Sequence, residues 1–254
     1  YRAAVPKLAY QADVVKIARD LSRHFAVERV RTGTRVEQPF IPYRTASLMQ
    51  DAANLLSFST TVTAITAQQL YEGIKLPTET KGLITYPRTD ATRLAQSFVT
   101  QALTFIKTHH GAQYVGSYRQ MKQRKNVQNA HEAIRVTDVK LTPAMARSSL
   151  TTAQFKLYRL IYHRSVGSLM APAVFNTEQV TIKNRDAEFR GSHRSLKFEG
   201  FLKYQNSKVK YDSKPLGLQP GVSFVTSTLT GVQHFTKPPA RFTEGSIVKK
   251  LEEL

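Results

Sequence analysis

The spacing of hydrophobic residues changes at Pro172, and this change restricts the possible folds more than any other feature of the sequence. Before Pro172 the apolar residues recur at helical spacing, whereas after it short runs of β-branched and aromatic residues alternate with polar or glycine-containing turns. Helical spacing gives each segment one apolar face for packing, and alternation gives strands with one buried side. The sequence therefore predicts a multidomain α+β protein, with helices and strands largely segregated.

The predicted elements follow this division. Before Pro172, helices are predicted in 10–25, 45–56, 64–74, 98–110 and 155–169, and a strand in 27–30. Thr151 and Gln154 have the spacing of a capping box in front of the last of these helices. The segment 111–129 is rich in Gly, Gln and Lys and is predicted to be a long exposed loop. After Pro172 we expect strands in 180–182, 188–190, 195–198, 201–204, 222–225 and 229–235, and a helix in 243–254.

The chain is strongly basic, with 37 Lys and Arg against 18 Asp and Glu and a net charge of +19. Much of the excess lies in 107–164, which contains 11 Lys and Arg, two acids and several tyrosines. Cations that neutralise phosphates, interleaved with rings on which bases stack, are typical of nucleic-acid-binding surfaces. A solvated basic face is the alternative interpretation. The charge favours a nucleic acid as the partner.

Two absences from the sequence exclude other classes of protein. The chain has no cysteine, which excludes disulfides, zinc ribbons, iron–sulfur clusters and a thiol nucleophile. It has no apolar run long enough to span a membrane and no apolar signal core at its start. We therefore expect a cytoplasmic protein without a membrane partner.

Tyr86 is the most suggestive candidate for a catalytic residue. It lies in the segment 82–90, where Pro87 prevents a continuous helix and a short strand or extended turn is expected. Alternation along an extended segment would place Tyr86, Arg88 and Asp90 on the same side. A guanidinium beside the phenol would hold a phosphate and stabilise charge in the transition state. A tyrosine packed under a turn, with a surface arginine, is the structural alternative.

The segment Ala130–Arg135, Ala-His-Glu-Ala-Ile-Arg, is the second candidate. It resembles the start of a zinc-protease helix, but Arg135 stands where the second histidine ligand would be. If the segment is helical, His131 and Arg135 share a face and offer two donors to one phosphate. Glu132 and Arg135 are then spaced for an ion pair, and a purely structural histidine–carboxylate pair is the alternative.

Several segments, taken in order, resemble those of the type IA DNA topoisomerases, in particular the bacterial topoisomerase I branch. The segment 82–90 is similar to the family's G-L-I-T-Y-M-R-T-D, and 130–135 matches A-H-E-A-I-R. The other similar segments are 42–52 (P-F-T-T-S-T-L-Q-Q-D-A), 67–74 (A-Q-x-L-Y-E-G-I), 157–170 (K-L-Y-x-L-I-W-x-R) and 235–244 (F-T-x-P-P-x-R-[FY]-[ST]-E). Each motif alone is of moderate specificity, whereas the ordered set is specific.

The resemblance implies a reaction and roles for particular residues. Tyr86 would attack one strand of single-stranded DNA, form a 5′-phosphotyrosine bond and leave a 3′-hydroxyl for rejoining, so that negative supercoils relax without ATP. Arg88 would hold the scissile phosphate and help to activate the phenol, and His131 would contact the bound strand. The resemblance makes Asp90, Glu132 and Arg135 further candidates for DNA binding.

The resemblance also implies a domain organisation like that of the type IA toroid. Residues 1–41 and 173–240 would form the strand-rich arch, 42–172 the mainly helical domain with the tyrosine, and 241–254 the start of a further domain. Mg²⁺ would be held by a TOPRIM domain outside this chain, with no metal ligand within it, and the other domains of the same polypeptide would be partners. We therefore expect a nucleoid-associated fragment that binds DNA but relaxes it poorly alone.

Three alternatives remain open at this point. Within the same family, the chain would be part of a topoisomerase III or of a reverse gyrase, because the short tyrosine motif does not exclude them. From another class, it would be a non-catalytic nucleic-acid-binding module in which Tyr86 only stacks on a base.

Overall fold

The computed structural model describes residues 19–118, 131–205, 214–226 and 236–243, together with 246, 247, 250 and 251. The chain divides into two compact units. One, the strand unit, comprises Tyr1–Glu37, Ala173–Glu199 and Lys208–Pro239. The other, the helical unit, comprises Gln38–Pro172, Gly200–Ser207 and Ala240–Leu254. Their assignment to the arch and the tyrosine domain of the family stays a prediction.

The regular elements alternate between the two units along the chain. The described strands are β1 (His24–Glu37), β2 (Ile74–Lys75), β3 (Thr80–Lys81), β4 (Ala173–Asn184), β5 (Ala187–Phe198) and β6 (Ser223–Val225). The described α-helices are α1 (Thr45–Asp51), α2 (Thr60–Glu72), α3 (Gln96–His110), α4 (Pro143–Ala146) and α5 (Thr152–Gly167). A π-helical turn, Ala52–Leu56, continues α1, and short 3₁₀ turns occur at Ala112–Tyr114, Arg147–Ser149 and Gly200–Tyr204. None of the helices in the described ranges is long and apolar enough to cross a membrane.

The strand unit is an antiparallel sheet in the order β5-β4-β1-β6. In its register Arg31 lies opposite Gln179, and Gln179 lies opposite Ser192. A bulge between Val27 and Arg29 shifts the pairing of β1 with β4. One side of the sheet is apolar and buried, because alternating residues of β1, β4 and β5 meet there: Phe25, Val27, Val180, Ile182 and Phe189.

The helical unit is centred on α5, whose apolar residues recur every three or four positions and are almost fully buried. The capping box predicted for this helix is confirmed, since Thr151 accepts a hydrogen bond from the Gln154 N–H and Gln154 Oε1 accepts one from the Thr151 N–H. The predictions of helices in 45–56, 64–74 and 98–110 are also confirmed as to location.

Two predictions of local structure are wrong. Residues 201–204 form a 3₁₀ turn rather than a strand, because the Phe201 N–H donates to the Ala171 carbonyl and the Phe201 ring is buried in the helical unit. The helix predicted in 10–25 does not reach Phe25, which belongs to β1 and stacks on Phe224. In both places tertiary packing of an aromatic ring overrides the local pattern.

Other predictions lie wholly or mostly outside the described residues. They are the first part of the 10–25 helix, most of the 111–129 loop, the 229–235 strand and much of the 243–254 helix.

Candidate active site

The segment around Tyr86 is irregular and extended, as the sequence predicted. A single antiparallel bridge joins Ile84 to Val136. Burial alternates beyond it, since Pro87 and Thr89 are buried while Arg88 and Asp90 are exposed and Tyr86 is half-buried. The polar residues of this segment therefore occupy its more accessible positions.

The Thr85 side chain fixes the segment on the N-terminal side of Tyr86. Its hydroxyl donates to the Ala133 carbonyl at 2.7 Å and accepts from the Arg135 N–H at 3.0 Å. The Thr85 N–H donates to the Arg135 carbonyl at 2.9 Å. These bonds join the Tyr86 segment to the His131–Arg135 segment, which the sequence separates by almost fifty positions.

Thr45, the first residue of α1, fixes the C-terminal side. Its hydroxyl donates to the Pro87 carbonyl at 2.9 Å and accepts from the Thr89 N–H at 2.8 Å. Its own N–H donates to the Thr89 carbonyl at 3.0 Å. Tyr86 is thus held between two threonines, each of which bonds to backbone groups of another segment.

Gly82 brings the segment close to α2. The Leu83 N–H donates to the Leu70 carbonyl at 2.7 Å. A Cβ at Gly82 would lie 2.3 Å from the Tyr71 carbonyl oxygen, which no side chain permits. The approach that glycine allows lets Tyr71, near the end of α2, reach Tyr86.

The Tyr86 ring lies between two other rings. Its centroid is 5.5 Å from that of Tyr71, with the planes at 68°, and 5.3 Å from that of His131, with the planes at 36°. Both distances fall within the range of favourable aromatic contacts. The structure therefore brings together Tyr86 and His131, which the sequence singled out separately.

The His131–Arg135 segment is not a helix, so the predicted face shared by His131 and Arg135 does not form. The main chain runs extended, and Ile134 bridges to Tyr43. The expected ion pair forms nevertheless, with Arg135 Nε 2.8 Å from Glu132 Oε2. Glu132 Oε2 also accepts a hydrogen bond from the Ala95 N–H at 3.0 Å.

Glu132 and Arg135 each make further contacts within the protein. The Arg135 guanidinium lies over the Phe98 ring at 4.4 Å and donates to the Val136 carbonyl. Burial of Glu132 opposes its ionisation, but the hydrogen bonds from Arg135 and Ala95 and nearby positive charge outweigh burial and lower its pKa. Arg93 Nε donates to the His131 carbonyl at 2.9 Å. These contacts fix the backbone that carries the His131 ring.

A second polar cluster, which was not predicted from the sequence, lies where α1 ends at Asp51. Arg164 of α5 pairs with Asp51, and its guanidinium lies 4.2 Å from the Tyr43 ring centroid. The Tyr43 hydroxyl donates to Asp51 at 2.8 Å. Burial chiefly raises the pKa of Tyr43, with the Asp51 charge acting in the same direction and Arg164 opposing it. Tyr43 and Asp51 both belong to the 42–52 motif, which was the signal available in the sequence.

The described residues do not supply a metal site for the Mg²⁺ that the resemblance implies. No group of three or more His, Asp or Glu side chains suited to a metal ion occurs in the parts of the chain that the structure describes.

Comparison with known proteins agrees with this fold. The family model of the DNA topoisomerases matches residues 4–254. Because this match spans nearly the whole chain, the chain belongs to that family, in its type IA branch. The full-length topoisomerase I from Thermotoga maritima is similar in structure, with a TM-score of 0.84 and 31% sequence identity. The match covers 99% of this chain and 41% of the Thermotoga chain.

Proposed function

We propose that this chain supplies the nucleophile with which a topoisomerase I breaks and rejoins one strand of DNA. The observation that carries the proposal is the placement of Tyr86, a half-exposed phenol between Tyr71 and His131 on a segment fixed on both sides. A nucleophile gains most from such fixation, because orientation that is already established in the free protein lowers the barrier to attack.

In the proposed reaction the phenolic oxygen of Tyr86 attacks a backbone phosphorus. The bond from phosphorus to the 3′-oxygen breaks as the new phosphotyrosine bond forms, and the phenolic proton is balanced by the one that the 3′-oxygen takes up. The 3′-hydroxyl then reverses the step and releases the phenol. One phosphodiester is exchanged for another, so the cycle needs no ATP.

The fully buried tyrosines of the helical unit are suited to structure rather than to attack. Burial raises the pKa of Tyr158 and of Tyr162, with smaller contributions in the same direction from neighbouring groups, and their hydroxyls donate to the carbonyls of Leu141 and Val139. A phenol that stays protonated and donates to a buried carbonyl is not available to DNA. Tyr86 differs in being accessible.

Arg88 is the group that we assign to the scissile phosphate. It is exposed two residues beyond Tyr86, between the buried residues Pro87 and Thr89. A guanidinium binds two phosphate oxygens at once and stabilises the charge that develops on them during attack. Asp90, also exposed, is a candidate for contacts with the neighbouring nucleotide.

We assign His131 to the bound strand beside the cleavage point, because its ring contacts that of Tyr86 and its carbonyl is fixed by Arg93. The contacts of Glu132 and Arg135 support a positioning role for both. Direct binding of DNA by either residue stays a prediction.

For the whole protein we propose the ATP-independent relaxation of negative supercoils, with single-stranded DNA as the substrate in the nucleoid of the cytoplasm. Mg²⁺ and the remaining domains would complete that activity. Family membership supports this proposal, and the chain spans 41% of the Thermotoga protein that it resembles.

The test is to trap the covalent intermediate. The chain is incubated with Mg²⁺ and a single-stranded oligonucleotide labelled at its 3′ end, alone and with the part of Thermotoga topoisomerase I that it does not match. A 5′-phosphotyrosine link retains the 3′ part of the strand, so the label should migrate with the protein after denaturation. In Tyr86→Phe the adduct should fall below detection, because the attacking oxygen is absent.

Tyr71→Phe is the matched control, since Tyr71 is an exposed tyrosine in contact with the same ring. It should retain the adduct. The proposal is wrong if the wild-type chain gives no adduct in either setting, or if the adduct persists in Tyr86→Phe.

A further inference from the structure

Arg93 bonds to the main chain that carries the His131 ring. Its Nε–H donates to the His131 carbonyl at 2.9 Å, and its own carbonyl accepts the Ala133 N–H at 2.9 Å. Arg93 therefore contacts the main chain on both sides of Glu132. These bonds join two segments that are distant in the sequence, since Arg93 and His131 are 38 positions apart.

The residues that follow His131 are held more firmly than His131 itself. Ala133 and Ile134 are buried, and the Ala133 carbonyl accepts from the Thr85 hydroxyl at 2.7 Å. His131 lies two residues before Ala133 and is exposed. Among the described residues, the bond from Arg93 is the one hydrogen bond that His131 forms. This bond therefore fixes the end of the segment from which the imidazole projects.

Arg93 follows shortly after Tyr86 on the same stretch of main chain. Between them, the Ala91 N–H donates to the Thr89 hydroxyl at 3.0 Å, and both of these residues are buried. The stretch that carries the Tyr86 ring is thus fixed up to the position of Arg93. Through Arg93 it also bonds to the residue whose ring contacts that of Tyr86, namely His131.

Arg93 also has a simpler interpretation, as one more cation for the phosphates of a bound strand. That role requires an accessible charge and no particular contact within the protein. The observed contacts are specific, because the side chain bonds to one side of Glu132 and the main chain to the other. Two bonds from one residue to one short segment favour a role in placing that segment.

We propose that Arg93 is a positioning residue for the cleavage assigned to Tyr86. Its bond to the His131 carbonyl keeps the imidazole against the phenol ring, with 5.3 Å between the ring centroids. His131 is then already in place when the strand binds, and orientation established beforehand lowers the barrier to attack. Arg93 acts through His131 and does not touch the reacting atoms. This inference rests on the function proposed for Tyr86 and His131.

The test combines single and double substitutions in the whole chain. Arg93→Met removes the donors and the charge but keeps an apolar stem, and it is made both in the wild type and in His131→Ala. Arg147→Met is the matched control, since Arg147 is exposed in the same unit and donates to the Leu150 carbonyl at 3.4 Å. The rate of adduct formation is measured at saturating single-stranded oligonucleotide. Affinity for that oligonucleotide is measured without Mg²⁺ between 50 and 200 mM salt.

We expect Arg93→Met to slow adduct formation about three- to tenfold with unchanged affinity, because it alters the barrier to attack and not the binding of DNA. In His131→Ala it should cause no further loss, since the residue through which it acts is absent. Arg147→Met should behave as the wild type does. An equal loss in both backgrounds, or a weaker affinity with a salt slope reduced by about 0.7, as for one lost phosphate contact, would overturn the proposal.

A second measurement does not depend on cleavage. In NMR spectra of the histidine rings, the His131 signal is assigned by its loss in His131→Ala, and it should shift when Tyr86→Leu removes the neighbouring aromatic ring. In Arg93→Met the same signal should move toward its position in Tyr86→Leu, because the two rings separate. A wild-type chain without an adduct would overturn both proposals. A wild-type rate in Arg93→Met, or an unmoved His131 signal, would overturn this one alone.

Discussion

The two units use their polar residues in opposite ways. In the helical unit Thr45, Thr85 and Glu132 accept hydrogen bonds from backbone groups of distant segments and thereby fix Tyr86 and His131. In the strand unit the backbone bonds of the sheet join β1, β4 and β5 along most of their length, and the arginines of β1 remain on the surface. Small changes should therefore disturb the first region strongly and the second weakly.

The largest difference is expected for glycine substitutions. Gly82→Ala should lower the free energy of unfolding of the helical unit by about 3 kcal/mol, because the new Cβ meets the Tyr71 carbonyl oxygen, a backbone atom that cannot move aside. In the strand unit, a Cβ at Gly191 has no atom within 4 Å, and Gly191→Ala should be neutral or slightly stabilising. Urea unfolding of both variants measures these changes in the free energy of unfolding. Equal destabilisation would remove the contrast between the units.

A smaller difference is expected when a threonine hydroxyl is removed. Thr85→Val leaves the Arg135 N–H and the Ala133 carbonyl without this partner and should cost about 2 kcal/mol in the free energy of unfolding. Thr32→Val, at an exposed position of β1, should change it by less than about 0.5 kcal/mol. The covalent-adduct assay on Thr85→Val sharpens the comparison, since a loss of positioning should reduce the adduct as well. Unchanged stability and adduct would contradict the role given to Thr85.

The smallest effect concerns pH. Burial first, and then the charge of Arg159, lower the pKa of His163 in α5 to about 4, while a hydrogen bond with the Tyr204 backbone acts in the opposite direction. Its ordinary value is about 6.5, so between these two values the unfolded chain takes up a proton that the folded chain does not. The contribution of His163 to the free energy of unfolding is fully present above pH 6.5 and declines as the pH falls toward 4.

We expect this group to account for about 1 kcal/mol of lost stability between pH 7.5 and pH 5, a figure reduced for partial exposure. His163→Gln should lose less stability than the wild type over that interval, as measured by urea unfolding at each pH. Identical pH dependence in the two proteins would show that His163 does not titrate as described.

Much of the helical unit could be predicted from the sequence, because apolar spacing and the capping box of α5 are local signals. The prediction of a strand at 201–204 was wrong. The apolar residues there have a strand-like spacing, but they form a 3₁₀ turn that packs against Ala171 and α5. The sequence of a short segment does not show which other element its apolar side chains will pack against.

Tyr86 and His131 could be identified as candidate site residues from the sequence, but the contacts that hold them in place could not. Motif order brought Tyr86 and His131 into one hypothesis, and the structure places their rings in contact. The helix expected for His131–Arg135 does not form, because Ile134 pairs with Tyr43 and Thr85 takes the backbone bonds of Arg135. Threonine side chains that bond across many positions leave no spacing signal, so the roles of Thr45 and Thr85 required coordinates.

The long separation between β1 and β4 has a consequence for synthesis. Ala26 of β1 pairs with Lys183 of β4, so β1 cannot pair with β4 until the ribosome has added about 150 more residues. At about 5 to 20 residues per second this delay lasts roughly 8 to 30 seconds, during which β1 has both edges open. The arginines at 29, 31 and 35 make the waiting strand a poor template for aggregation. The same side chains would thus keep the nascent chain soluble before the sheet exists.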